Sequence, residues 1–315
     1  MGDYVVKTLI LLTTWNGARF LPGQLDSIRS QTDPDFEVLV QDDGSADETL
    51  RQLDTVCRGD IRFLRGKEEG LHLGAVGNFL SLIRQADADV ILLSDQDDVW
   101  LPEKVSALKQ ALAEAEQVHG PDTPLLVHSD CKLIDGQGLL LADSFFRHQG
   151  WDPAATDLPR LLVQNNVTGC TLIMNRPLRD LIAEYGRPEL LFMHDWFIAL
   201  TAAAFGRVFF LNRPLTLYRQ HGENTVGASS RHQLSRGVEA LSQREKARRR
   251  IALTYEHTQA FREAYGSRLP EEADRLTEAY LATRSLPRRS RLLQIRKLGC
   301  VMQSPVTRAG QLIFG

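Results

Sequence analysis

The chain has 315 residues, 43% of them hydrophobic and 24% charged, with a formal net charge of -3. That length buries a full core with room for an appendage, and the balance is that of an ordinary globular protein. No run reaches the roughly 20 apolar residues that a bilayer span needs, the opening Met1 to Lys7 lacks signal-peptide order, and no nucleic-acid-binding motif is present.

Thr8 to Thr13 is an apolar run ending in polar residues, which predicts a buried parallel strand. Ala18 to Gln31 has helical spacing through Leu21, Leu25 and Ile28. Phe36 to Val40 predicts a second strand, followed by the loop Asp42-Asp43-Gly44-Ser45. Ala46 to Val56 predicts a helix with Ser45 as N-cap and Glu48 completing a capping box. Ile61 to Leu64 and Val90 to Leu93 predict strands, with a helix over Gly74 to Ala86 between them. Pro102 to Val118 predicts a fourth helix, its proline placed where a missing N–H is harmless.

This alternation predicts an α/β fold, a mainly parallel sheet with helices on both faces. Such sheets bind ligands beyond the carboxyl ends of their strands. Here those ends carry Thr13-Thr14, Asp42-Asp43 and Asp95 to Asp98. After Gly120 the pattern loosens. Leu125 to Ile134, Gly169 to Met174, Val208 to Leu211 and Leu215 to Tyr218 predict strands, and Asp195 to Phe205 a helix. From Arg231 onward no strand signal returns until the very end. The expected division is residues 1–230 as one α/β domain and 231–315 as a basic helical region, cut near Gly227 to Arg231.

Ser94-Asp95-Gln96-Asp97-Asp98 places three carboxylates in four positions directly after an apolar strand. Like charges this close repel unless a cation relieves them. Oxygen ligands suit Mg²⁺ or Mn²⁺, which keep positions open for substrate phosphates. A solvated acidic turn capping the next helix is the alternative.

In order and spacing, the motifs resemble family 2 glycosyltransferases of the GT-A fold, and among them the bacterial rhamnosyltransferase-like enzymes. The resemblance is carried by Thr13-Thr14-Trp15-Asn16-Gly17, by Gln24-Leu25-Asp26-Ser27-Ile28 with Gln31-Thr32, and by Asp42-Asp43-Gly44-Ser45-Ala46-Asp47-Glu48-Thr49. It continues through Gly74 to Asn78, the DxD-type Ser94 to Trp100, His194-Asp195-Trp196, and Tyr218-Arg219-Gln220-His221-Gly222-Glu223-Asn224.

The resemblance implies a nucleotide-sugar across the first half of the sheet. Thr13 and Trp15 would contact base and ribose, and Asp42 or Asp43 would accept from the N3–H of uracil or thymine. Asn78 would face the nucleotide or merely pack. Asp97 would approach the ribose or diphosphate, Asp98 would hold Mn²⁺ or Mg²⁺, and Asp95 fits the leading aspartate on the nucleotide-sugar side, the extra aspartate leaving the division among the three open, with His221 either completing the metal site or serving structure. Asp195 would be the general base, giving inversion at the sugar carbon. Trp196 would pack on a sugar ring or in the core, and His194 stands where many relatives carry glutamate. With no Gln-x-x-Arg-Trp signature, addition of a single sugar is expected, from a UDP- or dTDP-sugar to a glycan or lipid-linked glycan of bacterial surface polysaccharide. The rivals are a sugar nucleotidyltransferase, which should carry a Gly-rich basic loop after its first strand, and a non-catalytic nucleotide-sugar-binding protein.

From Arg231 to the end there are 17 Lys and Arg against 8 Asp and Glu. Gln243 to Arg250 and the amphipathic Arg288 to Leu298 concentrate that charge. Such helices suit an anionic membrane surface, or they pack on the catalytic domain. Cys57, Cys131, Cys170 and Cys300 are widely spaced and read as free thiols of a reducing compartment. The expected location is the cytoplasm, with peripheral contact at the inner membrane face.

Overall fold

The computed structural model describes residues 6–60, 62–67, 71–221 and 243–314. In chain order the first half comprises β1 (Thr8–Thr14), α1 (Leu21–Arg29), β2 (Glu37–Asp42), α2 (Thr49–Gly59), β3 (Phe63–Arg65), α3 (Gly74–Gln85), β4 (Val90–Ser94), β5 (Val99–Trp100) and α4 (Lys104–His119). Then come β6 (Leu125–Asp135), β7 (Leu140–Ala142), α5 (Phe145–Gln149), α6 (Leu158–Leu161), β8 (Leu172–Asn175), α7 (Arg176–Ala183), α8 (His194–Phe205) and β9 (Arg207–Gln220). The last described elements are α9 (Gln243–Tyr265), α10 (Glu271–Ala282), α11 (Arg288–Leu298) and α12 (Pro305–Phe314).

All the described strands join one sheet in the order β3-β2-β1-β4-β8-β6-β9-β5, with β7 added to β6. The β3-β2-β1-β4 half is parallel, whereas β8 runs antiparallel to both β4 and β6. Alternate residues of the central strands serve two cores, as the period of 2 requires. Leu9, Leu11, Ile91 and Leu93 face α3, α7 and α8; Ile10, Leu12, Val38 and Leu92 face α1, α2 and α4.

Three expectations need correction. Helix α2 begins at Thr49, and Ser45 does not cap it. The Ser45 hydroxyl donates instead to Asp42 Oδ2 at 2.6 Å, and its N–H to Asp42 Oδ1 at 2.7 Å. A buried carboxylate only accepts, so it takes both donors and leaves the Thr49 N–H to Asp47. The segment 169–171 is a 3-10 turn rather than the start of a strand. The two strands expected over 208–218 are one, β9.

The helices after residue 243 complete the first core. Phe197 of α8 stacks on Tyr265 of α9 with centroids 5.8 Å apart, and Trp196 lies against His257 at 4.6 Å. Thr201 Oγ1 and the Tyr265 hydroxyl are 2.9 Å apart. The packed-helix alternative therefore holds for α9. The expected boundary at Gly227 to Arg231 lies outside the described residues, as do Ile61 and the Gly222 to Asn224 end of the last motif. None of the described helices is long and apolar enough to cross a membrane.

Candidate active site

The carboxyl ends of β1, β2 and β4 meet in one place. Asp42, at the end of β2, accepts from the Thr14 hydroxyl at 2.7 Å, the Gly44 N–H at 3.0 Å and both donors of Ser45. Four donors occupy its four lone-pair positions, so Asp42 builds the loop. Gly44 has φ +91, and a Cβ there would lie 2.3 Å from the His72 ring, so glycine is required. Among the described residues, Asp43 accepts only the Leu73 and Gly74 N–H groups, at 2.6 and 2.8 Å. Of the two, Asp43 retains acceptor capacity.

Thr13 is buried at the end of β1, while the neighbouring Trp15 indole is 57% exposed. Gln96 clamps the Trp15 backbone, accepting from its N–H at 2.8 Å and donating to its oxygen at 2.9 Å. Asn78 is buried in an amide network with Gln41, accepting from its Nε2 at 2.7 Å. It lies beneath β2 in that network.

The acidic loop closes against β9. The Arg219 N–H donates to Asp98 Oδ1 at 3.0 Å and its Nε to the Asp97 backbone oxygen at 2.7 Å. His221 Nε2 lies 2.7 Å from Asp97 Oδ2. The structure thus brings His221 to Asp97, one residue from the expected metal ligand Asp98. Among the described residues, ligand atoms of Asp95, Asp98 and Cys170 lie within 4.8 Å of one another. Asp98 Oδ2 is buried and without a hydrogen-bond partner.

Burial, then the neighbouring charge of Asp97, pushes the Asp98 carboxyl up to about 7. Asp95 keeps some surface open to solvent, yet protein surrounds its carboxyl. Burial and the charges of Asp98 and Asp97 push it well above the carboxylate range. These groups fit a hard divalent cation: two carboxylates, one oxygen unsatisfied, and mutual repulsion that a cation would relieve. The Cys170 thiol, pushed up by burial, stays neutral and contributes little to such an ion.

Asp195 stands in the first turn of α8 and is 5% exposed. Asn165 Nδ2 donates to its Oδ1 at 3.0 Å, the Trp196 N–H at 2.6 Å, and the Gly169 N–H to Oδ2 at 3.2 Å. Burial still pushes its carboxyl up to about 7. Gly169 makes this approach possible, since a Cβ there would lie 2.9 Å from His194 Nε2. The His194 ring stacks on Phe79 at 4.2 Å, and burial pulls it down to about 3, so it is neutral. Trp196 is a core tryptophan, its Nε1 donating to the Leu161 oxygen at 2.6 Å. Lys104, Asn165 and Cys170 belong to the site although no sequence motif marks them, and Gln96 sits inside the acidic motif with no signal of its own; only the amide-rich Gln164-Asn165-Asn166 stands out within its stretch.

The sequence model of the family described as glycosyl transferase family 2 matches residues 9–181. The chain belongs to that family. It is 27% identical over 231 residues to the dTDP-rhamnosyl transferase RfbG of Shigella flexneri, covering 69% of this chain and 74% of that one. Its fold is similar to that of S. aureus TarS 1–349 in complex with UDP, with TM-score 0.54, 18% identity and coverage of 97% and 88%. It is also similar to the mannosyltransferase PcManGT from Pyrobaculum calidifontis in complex with GDP-Man and Mn²⁺, with TM-score 0.53, 15% identity and coverage of 94% and 74%. The chain is a glycosyltransferase, and the nucleotidyltransferase and non-catalytic readings fall away.

Proposed function

We propose that this glycosyltransferase moves a single sugar, with inversion, from a UDP- or dTDP-sugar to a hydroxyl of a glycan or lipid-linked glycan in bacterial surface polysaccharide biosynthesis. One observation carries the reading: the base candidate and the acidic pocket flank the same turn. Gly169 donates to Asp195, and the next residue, Cys170, lies against Asp95 and Asp98.

Asp195 takes the proton of the acceptor hydroxyl as that oxygen bonds to the anomeric carbon. The bond from that carbon to the diphosphate oxygen breaks with its electron pair, releasing the nucleoside diphosphate. Attack opposite the leaving group inverts the centre. Asp98 and Asp95 would hold Mn²⁺ or Mg²⁺, which when bound offsets charge on the diphosphate. Asp97 and its partner His221 stand beside the pocket for the ribose and diphosphate. Asp43 would accept the N3–H of uracil or thymine, with Trp15 stacking on the base. The Shigella relative's name favours dTDP-rhamnose as donor.

Release of nucleoside diphosphate, measured across UDP- and dTDP-sugars with and without Mn²⁺, tests this. The expected result is Mn²⁺-dependent release, greatest with dTDP-rhamnose. Pyrophosphate release, or equal turnover in chelator, refutes the reading.

Partner contact is assigned to α11. Arg289, Leu293, Arg296 and Lys297 share one helical face, all are exposed, and Leu293 is 70% exposed. The helix has no acidic residue. Each such cation contributes about 1 kcal/mol at an anionic lipid surface. Cosedimentation with phosphatidylglycerol vesicles should occur and should fall at least tenfold when Arg289, Arg296 and Lys297 are changed to Glu together. Equal binding to phosphatidylcholine vesicles would exclude the electrostatic contact.

A further inference from the structure

Residues 164–168 form no helix or strand, yet they carry Asn165, the one side chain among the described residues that donates to Asp195. A segment without a backbone ladder is held by its side chains and their partners. Here neighbouring side chains go to different partners. The Asn165 amide accepts from the Val167 N–H at 3.0 Å and donates to Asp195 at 3.0 Å. On either side of it, Gln164 accepts from the Gln303 N–H at 3.1 Å, and the buried Asn166 accepts from Gln303 Nε2 at 3.2 Å. Gln303 lies between α11 and α12, beyond every motif that marks the site. Asp152 closes the ring, donating its N–H to Gln303 Oε1 at 2.7 Å and accepting from Asn166 Nδ2 at 2.8 Å. A backbone N–H only donates and a backbone oxygen only accepts, so both amides have a single orientation. Gln311 of α12 backs the arrangement, accepting from the Met302 N–H at 3.0 Å and donating to the Cys300 oxygen at 2.9 Å. Gln164 leaves its own Nε2 buried without a partner among the described residues. Burying an unpaired amide is costly, so an apolar residue would stand there if packing were the segment's only task.

We propose that Gln303 is a positioning residue for the base: it holds residues 164 and 166 so that Asn165, between them, keeps the Asp195 carboxylate in place. The proposal rests on the reading of Asp195 as the base. It makes the C-terminal helices part of the catalytic unit as well as of the core. Of the three donors to Asp195, the Trp196 N–H is fixed by α8, whereas the Asn165 amide and the Gly169 N–H both follow the course of residues 164–169. Releasing Gln303 therefore loosens two donors while the third stays. Displacing a reacting group by about 1 Å costs on the order of 10²-fold in rate, and a partial loosening should cost about tenfold. Asp43, Asp95 and Asp98 stand on other segments, so donor binding should not change.

Gln303→Met keeps the length of the side chain and removes both bonds of its amide. Turnover, read as release of dTDP from dTDP-rhamnose at saturating Mn²⁺, should fall about tenfold, with KM for the donor within about twofold of wild type. Backbone amide exchange over residues 162–169 should quicken about tenfold, and that over β1 and β4 should not change. In an Asn165→Ala background, Gln303→Met should cost less than about twofold more, because the link it acts through is already gone. Equal losses in both backgrounds mark a merely structural residue and overturn the proposal, as does turnover near wild type or a rise in KM alone. If Gln303→Met does not fold, Gln303→Glu is read in the same way, since it keeps the acceptor for the Asp152 N–H and loses only the donor. Failure of both to fold overturns the proposal. Near-wild-type turnover by Asp195→Asn refutes the base reading instead. With Asp195→Asn inactive, an unaffected Gln303 variant refutes the positioning role alone.

Discussion

Asp195→Asn should lower turnover on the order of 10²–10⁴-fold, the usual cost of removing a general base, while donor affinity measured by calorimetry stays near wild type. The asymmetry follows from position. Asp195 is held by Asn165, Gly169 and Trp196, and in the proposed reading the diphosphate is held by other residues, Asp98 and Asp95 with the cation. Asparagine keeps the oxygen that meets Trp196 and Asn165 but turns an amide toward the Gly169 N–H. That lost bond costs about 1–3 kcal/mol, offset by removing a charge from a buried place. Near-wild-type transfer by the variant would move the base elsewhere, and loss of donor binding would make Asp195 a nucleotide ligand.

The same residue sets the pH profile. A base works only when deprotonated, and burial pushes the Asp195 carboxyl up to about 7. Turnover in wild type should therefore fall about tenfold per pH unit below 7 and level off above it. With Mn²⁺ and donor saturating, so that the metal pocket stays ionised, the residual rate of Asp195→Asn should lack that limb. A wild-type profile flat from pH 5 to 8 contradicts a buried carboxylate base.

Apolar runs and helical spacing made β1 to β4 and their helices legible, because each element buries one face and its pattern records that face. Other features arise only in three dimensions. β5 has two residues, too few for a period, and exists because Val99 and Trp100 pair with Leu217 and Thr216. β9 reads as two strands because Asn212-Arg213-Pro214 interrupts its apolar pattern. In the fold Pro214 sits at a register shift opposite Asp130, where a missing N–H is tolerated. The false capping box shows the opposite failure: Ser45 and Glu48 have the right spacing, but Asp42 competes for the hydroxyl and wins. Asp43, Asp98 and Asp195 stand out in the sequence because the motifs place them at strand and helix ends. Gln96, Asn165 and Lys104 act through partners 81, 30 and 66 residues away, distances that local spacing does not encode.

Asp98→Asn should abolish Mn²⁺-dependent binding of nucleoside diphosphate, lowering affinity at least 100-fold, without loss of fold. Asparagine preserves the Oδ1 acceptor that meets the Arg219 N–H at 3.0 Å, so the contact between the acidic loop and β9 survives. What goes is the charge on a carboxylate whose other oxygen is buried and unpartnered. Without a cation that charge opposes folding. Burial and Asp97 raise the folded-state pKa to about 7, above the unfolded value of about 3.9, so the penalty grows as pH rises between the two and is fully present above 7. The variant's Tm in chelator should thus equal or exceed wild type at pH 8, and the gap should close toward pH 4. Mn²⁺ should then stabilise wild type and leave the variant unmoved. A variant that binds nucleoside diphosphate and Mn²⁺ like wild type removes Asp98 from the metal site, and a lower Tm in chelator at pH 8 means that its charge is compensated within the protein.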